Sequence, residues 1–491
     1  MLFSTLRVLT YMLGIVGAAF MIPLSVAFQE GETSVINGFL IPALASWTLA
    51  IVFAVAARGK PQVFDARSAF GIVGVIWIVV CLFGAIPIFF SGVPVSFTDA
   101  LFESVSGFTT TGASVFRDVE SLPRSINLWR CETHWLGGMG VIALVVALIP
   151  LLGVGGFRLI KAEATGPDKT KFTSFVSTTA KSLWTIYVAM TGALAALLWY
   201  FGMDVIDAVS HAFSTMGTGG FSTRNDSIAS FGIPAVEWTC SAFMLLCAIN
   251  FGLYYRLITG RIREVFLDSE LRAFLAAVLA AFGLVLALEH ARFPDFAAAV
   301  RTALFEVAAV ITTTGFKADD YTLWSPAAQV VILLLFFLGG CSGSTSGGVK
   351  IIRWTILAKQ LRNEIRRLMH PHEVLSLSIN GNPGREAFVP VAATFIFTYL
   401  LLTIVSTFFG ALAGLDVFTA FTSSLAMIGN IGPSFGDLGP SGDYASIAAP
   451  LKWWYCFMML AGRLEIYTLL ILIGRIFVFR PVRRQWKAAG E

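Results

Sequence analysis

The chain has 491 residues, 56% of them hydrophobic and only 13% charged, with a mean hydropathy of +0.78. That balance excludes a soluble fold of this length, and apolar runs of about 20 residues, enough to cross a bilayer core as helix, recur throughout. The net charge is +4, and the basic residues flank the apolar runs instead of forming a separate domain, which excludes nucleic acid as the partner.

The chain begins MLFSTLRVLTYMLGIVGAAF. This stretch has the look of a secretory signal but lacks a small-x-small cleavage site before Pro23, and further spans follow, so it reads as a retained first helix. Ten spans are predicted, near 6–28, 36–57, 68–92, 130–157, 179–202, 235–259, 271–291, 325–356, 387–413 and 449–478. Lys and Arg cluster at 58–67, 158–181, 256–272, 350–385 and 475–487. The positive-inside bias makes these clusters cytoplasmic, and both termini with them. The cysteines (Cys81, Cys131, Cys240, Cys247, Cys341 and Cys456) are scattered, with no CxxC, and read as small apolar residues in membrane helices.

Four outer connections each hold a segment too short to cross, at about 98–110, 206–217, 297–312 and 416–429. Each runs into a polar string containing glycine. The first reads TDALFESVSGFTTTGAS, the second IDAVSHAFSTMGTGGFST, the third VRTALFEVAAVITTTGFK and the fourth DVFTAFTSSLAMIGNIGPSFG. Aligned on glycine, the anchors are Gly112, Gly315 and Gly432; in the second segment Gly219 and Gly220 both qualify, on the T-G order and on the spacing from Asp207 respectively. The repeating unit is span, short re-entrant helix, polar loop, span. It divides the chain into an N-terminal helix pair at 1–67 and repeats at 68–170, 171–265, 266–370 and 371–491, the third with a broken second helix.

Irregular backbone at membrane depth is tolerated only where protein buries it or it lines an aqueous cavity. A ring of backbone carbonyls can replace the hydration shell of an alkali cation without fixed charge. Glycine permits the backbone angles this needs, threonine adds a hydroxyl and a stiff side chain, and a preceding helix turns its partly negative C-terminal end toward the cavity. A single TTTG is equally an ordinary turn; four copies with matched upstream spacing favour the ring.

Taken together, FESVSGFTTTGAS, WLGGMGVIALVVALIPLLGVGG, HAFSTMGTGGFST, ITTTGFKADDY, GGCSGSTSGGVK, NIGPSFG and MLAGRLEIYTLLIL resemble a Trk-type potassium transporter membrane subunit of the Trk/Ktr/HKT superfamily, bacterial branch. The resemblance implies an all-α polytopic membrane protein with four membrane–pore–membrane repeats around a pseudo-fourfold pore, plus two extra N-terminal transmembrane helices. It places a potassium-binding filter on Thr110, Thr111 and Gly112; Gly217, Thr218 and Gly219, with Gly220; Thr313, Thr314 and Gly315; and Asn430, Ile431 and Gly432. In related plant transporters serine at the first filter glycine goes with sodium permeation, so glycine in all four repeats favours potassium.

Within the span at 325–356, the run Gly339, Gly340, Cys341, Ser342, Gly343, Ser344, Thr345, Ser346, Gly347, Gly348, ending at Lys350, cannot hold a membrane helix well. It fails the phosphate-loop pattern, because Gly348 is followed by Val349-Lys350-Ile351 and an apolar run precedes it. The alternatives are a passive kink or a flexible pore-lining element, and the resemblance implies the second, a gate below the filter. Arg463, inside a span, must pair or face water. Glu465 is a candidate partner but faces elsewhere on a helix; the resemblance makes Arg463 a pore charge beside the gate. Glu103 and Glu306 occupy equivalent places and read as braces for the loops rather than cation ligands. Asp99, Asp207 and Asp416 read as helix N-terminal caps.

The expected activity is potassium uptake, with Na⁺- or H⁺-coupled symport as the alternative. No nucleophile–base pair or metal-ligand cluster is evident, so neither an enzyme nor a cofactor is expected; K⁺ is the transported ligand, and a membrane enzyme or a pure scaffold is a remote alternative. The resemblance implies a homodimer in the bacterial cytoplasmic (inner) membrane, embedded in lipid bilayer. It also implies a cytosolic nucleotide-binding regulatory ring docked on the basic inner loops.

Overall fold

The computed structural model describes residues 2–58, 66–93, 95–152, 169–373 and 375–466. The predicted ends of the fourth and tenth spans, near 157 and 478, lie outside the described residues, as do the basic cluster at 475–487 and parts of those at 58–67 and 158–181. Within the described residues the chain is helical, with two isolated bridges, Gly339–Lys350 and Ile379–Asn382, in place of any sheet. Five of these helical stretches are long and apolar enough to cross a membrane: Val8–Gln29, Thr33–Ala56, Lys181–Tyr200, Ser269–Arg292 and Phe388–Leu412.

In chain order, α1 (Leu2–Ala19) and α2 (Met21–Gln29) pack with α3 (Thr33–Ala56) as the N-terminal pair. Taken by the repeat bounds expected from the sequence, the first holds α4 (Ala66–Phe89), α5 (Phe97–Phe108) and α6 (Arg124–Leu152). The second holds α7 (Lys169–Tyr200), α8 (Val205–Gly217), α9 (Pro234–Cys247) and α10 (Phe251–Ile258). After α11 (Ile262–Phe266), the third holds α12 (Ser269–Glu289), α13 (Phe296–Ile311), α14 (Pro326–Leu335) and α15 (Ile351–Met369). The fourth holds α16 (Phe388–Leu412), α17 (Val417–Gly429) and α18 (Ala449–Arg463).

The span expected at 235–259 is bent by 91° between α9 and α10. The bend has a local cause. Asn250 caps α10 by accepting from the Gly252 N–H at 2.8 Å, and the Ala248 carbonyl, freed from the helix ladder, accepts from the Cys341 N–H at 2.8 Å. The span at 325–356 is broken as expected, with α14 ending at Leu335 and α15 starting at Ile351.

The four short helices α5, α8, α13 and α17 form the centre, each buried along most of its length. Each packs against the outer spans of its own repeat, and across the repeat boundary α5 meets α18, α8 meets α6 and α13 meets α9. Between the third and fourth repeats α15 packs on α16, and the Phe336 and Phe435 rings lie 5.7 Å apart. Caps fix where these helices start. Asp416 caps α17 as expected, but Asp99 sits inside a capping box whose N-cap is Ser96. Asp207 is no cap: Asp204 takes that place in α8, leaving Asp207 to hold Thr223 at 2.8 Å and Arg224 at 3.0 Å. Asp295 caps α13.

Candidate functional site: a ring of four loops and the segment beneath it

Each short helix ends in the same backbone figure. A left-handed residue is followed by one that is not, then by a left-handed glycine. The pairs are Thr110 (φ 54°) and Gly112 (81°), Thr218 (55°) and Gly220 (86°), Thr313 (57°) and Gly315 (73°), and Asn430 (53°) and Gly432 (91°). β-branched residues rarely adopt positive φ, and its return in three threonines means that the surroundings over-determine it. The figure also sets the register that the sequence leaves open. Thr218-Gly219-Gly220 is the counterpart of the other three triads, while Gly217 is the last residue of α8.

The four loops touch in cyclic order. A Cβ built on Gly112 would fall on the Gly219 carbonyl oxygen, one on Gly220 on that of Thr314, one on Gly315 on that of Ile431, and one on Gly432 on that of Thr111. Only hydrogen fits at these four places, and the ring closes on itself. Asn430 adds a link from the fourth loop to the first, donating from Nδ2 to the Thr111 hydroxyl at 3.0 Å. Within the first and third loops the Thr109–Thr111 and Thr312–Thr314 hydroxyl pairs each lie 2.7 Å apart. Outside the ring a cavity of about 210 Å³ is lined by all four glycines.

With Gly220 as anchor, Glu103, His211, Glu306 and Ser423 fall at one repeat position. All four brace. Glu103 accepts from Ser114 Oγ at 3.0 Å, the Val115 N–H at 2.9 Å and Arg130 Nε at 2.7 Å. Glu306 Oε1 accepts from the N–H groups of Ala318 and Asp319 at 2.7 and 2.9 Å. His211 Nε2 lies 2.8 Å from Ser222 Oγ, and Ser423 Oγ lies 2.7 Å from the Tyr455 hydroxyl. The Glu103–Arg130 pair is fully buried, and Asn127, Ser114 and the Ser222 carbonyl take three of the four remaining guanidinium N–H groups, the kind of support a buried ion pair needs. His211 and Arg130 were missed as braces from sequence. Anchoring the second repeat on Gly220 would have exposed His211.

Directly beneath the ring lies the segment between α14 and α15. The Gly347 N–H donates to Thr313 Oγ1 at 2.6 Å, and a Cβ on Gly347 would crowd the Gly429 carbonyl and Asn430. Gly343 (φ 74°) and Gly348 (φ 66°) provide its two left-handed turns. The far side of the segment fills the α9–α10 break. There Phe251 N–H donates to the Gly343 carbonyl at 3.2 Å, Thr345 Oγ1 to the Cys247 carbonyl at 3.3 Å, and Ser342 N–H to Glu270 Oε1 at 2.6 Å. A bridge from Gly339 to Lys350 closes its base, Gly340 abuts Ser346, Ser344 Oγ donates to the Cys341 carbonyl at 2.6 Å, and Lys350 Nζ donates to the Ser346 carbonyl.

Arg463 reaches this segment from α18. Its Nη1 donates to the Thr345 carbonyl at 2.7 Å and its Nη2 to the Gly137 carbonyl at 3.1 Å. Among the described residues it forms no ion pair. Glu465 pairs with Arg353 instead, so the alternative of an Arg463–Glu465 bridge is not what the chain adopts. The twelve triad residues thus meet in one ring, with Gly217 at the helix end just before its triad, and the segment Gly339–Lys350 and Arg463 lie against one another beneath Thr313 and Asn430.

In the loop after the third triad, Asp320 is burdened by partial burial, but hydrogen bonds from Ser441 and Thr322 and the charge of Lys317 hold it below its ordinary carboxylate range. The C-terminal ends of all four short helices lead into the ring, so their partly negative ends favour a cation there.

The family described as TrkH, cation transport protein, matches residues 35–476. The chain is 39% identical over 425 residues to the Trk system potassium uptake protein TrkH of Escherichia coli, covering 86% of this chain and 88% of that protein. It is 35% identical over 474 residues to the Trk system potassium uptake protein TrkI of Halomonas elongata, covering 95% of each. A crystal structure of the potassium transporter TrkH from Vibrio parahaemolyticus superposes with a TM-score of 0.88 at 32% identity, covering 98% of this chain and 100% of that one.

Proposed function

The chain belongs to the TrkH family of cation transport proteins, and on that premise we propose that it takes up potassium through the ring of four loops. The observation that carries this reading is the closed ring itself, with its paired left-handed residues repeated four times. Alternating hand along each triad turns successive peptide planes the same way, so carbonyls from four loops can converge on one cation. Potassium sheds water at Thr110–Gly112, Thr218–Gly220, Thr313–Gly315 and Asn430–Gly432. Discrimination comes from carbonyl dipoles and not from fixed charge. A smaller cation, sodium above all, gains less from a ring it cannot draw inward, because each glycine already abuts its neighbour's backbone.

The segment from Gly339 to Lys350 is the gate, with Arg463 holding it shut. Its hydrogen bonds to Thr313 above and, through the Thr345 carbonyl, from Arg463 support this, since movement of the segment must break both. A guanidinium beside the path also opposes a cation until the segment moves. The membrane potential supplies about 2.3 kcal/mol per charge per 100 mV, sufficient for inward movement without a coupled ion.

The protein lies in the bacterial cytoplasmic membrane with both termini inside, as a homodimer on which a cytosolic nucleotide-binding ring docks. The basic inner face, including Arg362, Arg366 and Arg367 on α15, supports that orientation. The test is flux into liposomes holding the purified chain under opposed K⁺ and Na⁺ gradients, for wild type and Gly112→Ser, with the gate segment intact and shortened. Potassium-selective uptake that loses discrimination in Gly112→Ser supports the reading. Absence of cation flux with the gate shortened and the protein folded overturns it.

A further inference from the structure

Just beyond the ring glycine, three repeats carry serine and the third carries lysine: Ser114, Ser222, Lys317 and Ser434. The serines turn back onto their own repeats. Ser114 Oγ donates to Glu103 at 3.0 Å, Ser222 Oγ lies 2.8 Å from His211 Nε2, and Ser434 Oγ donates to the Leu438 carbonyl at 3.0 Å. Lys317 does otherwise. In its repeat the bracing Glu306 is engaged by the N–H groups of Ala318 and Asp319, so the lysine side chain is released to reach sideways.

It reaches across the mouth. Lys317 Nζ lies 2.9 Å from Asp226 Oδ1 on the second loop and 2.8 Å from Ser441 Oγ on the fourth. Its own N–H donates to Ser227 Oγ at 3.3 Å, and its carbonyl accepts from the Ala229 N–H at 3.2 Å. The Lys317 side chain is only 12% exposed and that of Asp226 is 69% exposed, yet both line the cavity that opens onto the four ring glycines. The ammonium therefore sits on the inner side of the pair and the carboxylate on the outer. The other cations of this cavity have acids of their own: Arg117 faces Asp443, Arg130 Glu103 and Arg224 Asp207.

A pair with one solvent-exposed partner adds little to stability. Its consequence here is electrostatic, because a charge in a walled-in vestibule changes the local concentration of the ion that must cross it. We propose that Lys317 and Asp226 are an opposed pair of specificity-determining charges that set the cation concentration presented to the ring, Lys317 lowering it and Asp226 restoring it. The inference rests on the ring being the potassium path.

The sign of each change follows from the charges. Removing the ammonium makes the cavity more negative by one charge and draws cations in; removing the carboxylate makes it more positive by one charge, with Asp320 the remaining acid that feels Lys317, and repels them. In liposomes holding the full chain, with potassium flux followed at low ionic strength, Lys317→Met lowers the half-saturating K⁺ concentration about threefold and Asp226→Asn raises it about threefold. Both shifts shrink when an impermeant organic salt is added to about 0.5 M. Lys317→Arg and the double variant Lys317→Met/Asp226→Asn stay near wild type, whereas a clasp with only a structural role would leave the double variant at least as impaired as either single one. Shifts of the two single variants in the same direction, or no shift in either while flux persists, overturn the proposal. Gly112→Ser in the same vesicles separates the two readings. If it loses K⁺/Na⁺ discrimination while the charge variants do nothing, only the vestibule proposal fails; if it too changes nothing, the ring reading fails.

Discussion

The backbone N–H of Gly347 donates to the hydroxyl of Thr313 at 2.6 Å, so the segment that breaks the third repeat's second helix hangs from a loop of the ring above it. Ring and segment are therefore one hydrogen-bonded body. A movement of the segment leaves a buried N–H without a partner unless water follows it.

Replacing that hydroxyl tests the link. Thr313→Val keeps the branched shape and removes the acceptor, at a cost of about 1–3 kcal/mol to the arrangement described. Potassium flux is expected to rise severalfold in the variant, while Thr313→Ser, which keeps the oxygen, stays near wild type. Liposome flux reads both. Equal flux in the two variants would show that the hydrogen bond does not hold the gate.

Arg463 fastens the segment from the other side. Arg463→Ala removes two charge-assisted hydrogen bonds, each on the order of 1.5–3 kcal/mol, and is expected to raise flux roughly tenfold or more without abolishing potassium preference. Shortening Gly343–Gly348 has the same outcome. If both leave flux unchanged at normal expression, the gate lies elsewhere.

The ring also predicts a contrast between two glycines. Gly220→Ala places a Cβ on the Thr314 carbonyl at positive φ and is expected to cost about 2–5 kcal/mol. Gly192, in α7, has nothing within 4 Å of a built Cβ, and Gly192→Ala is expected to stabilise by about 0.5–1 kcal/mol. Thermal unfolding in detergent should move in opposite directions for the two.

Much of this site could be read from the sequence and some could not. The four loops were legible because polar strings with a shared glycine stand out in an apolar chain, and the broken helix because Gly, Ser and Thr cannot sustain one. The register of the second loop was hidden, since handedness at Thr218 and Gly220 is a backbone property that G-T-G-G does not spell out. Asp207 was taken for a cap because Asp204 and Asp207 are equally suited by type; only the fold assigns the cap to Asp204 and the inward hydrogen bonds to Asp207. The bend between α9 and α10 joins a local cap at Asn250 to hydrogen bonds with Cys341 and Gly343, far along the chain, and that distant half is not written in the local pattern.

The buried brace carries its own prediction. Glu103→Gln leaves the Arg130 charge uncompensated among Phe116 and Phe221, and is expected to destabilise by about 3–5 kcal/mol. The double variant Glu103→Gln/Arg130→Met should lose less than the sum of the single changes, read as unfolding midpoints in denaturant. Additive losses would mean that the two residues act independently.

The central claim is that four loops make one cation site, and heavy-ion crystallography tests it most directly. Crystals grown in thallium(I), which stands in for potassium, should show anomalous density on the axis of the ring, within coordinating distance of carbonyls from the Thr110, Thr218, Thr313 and Asn430 triads. Density only in the outer cavity, or bound to one loop away from the axis, would contradict the account.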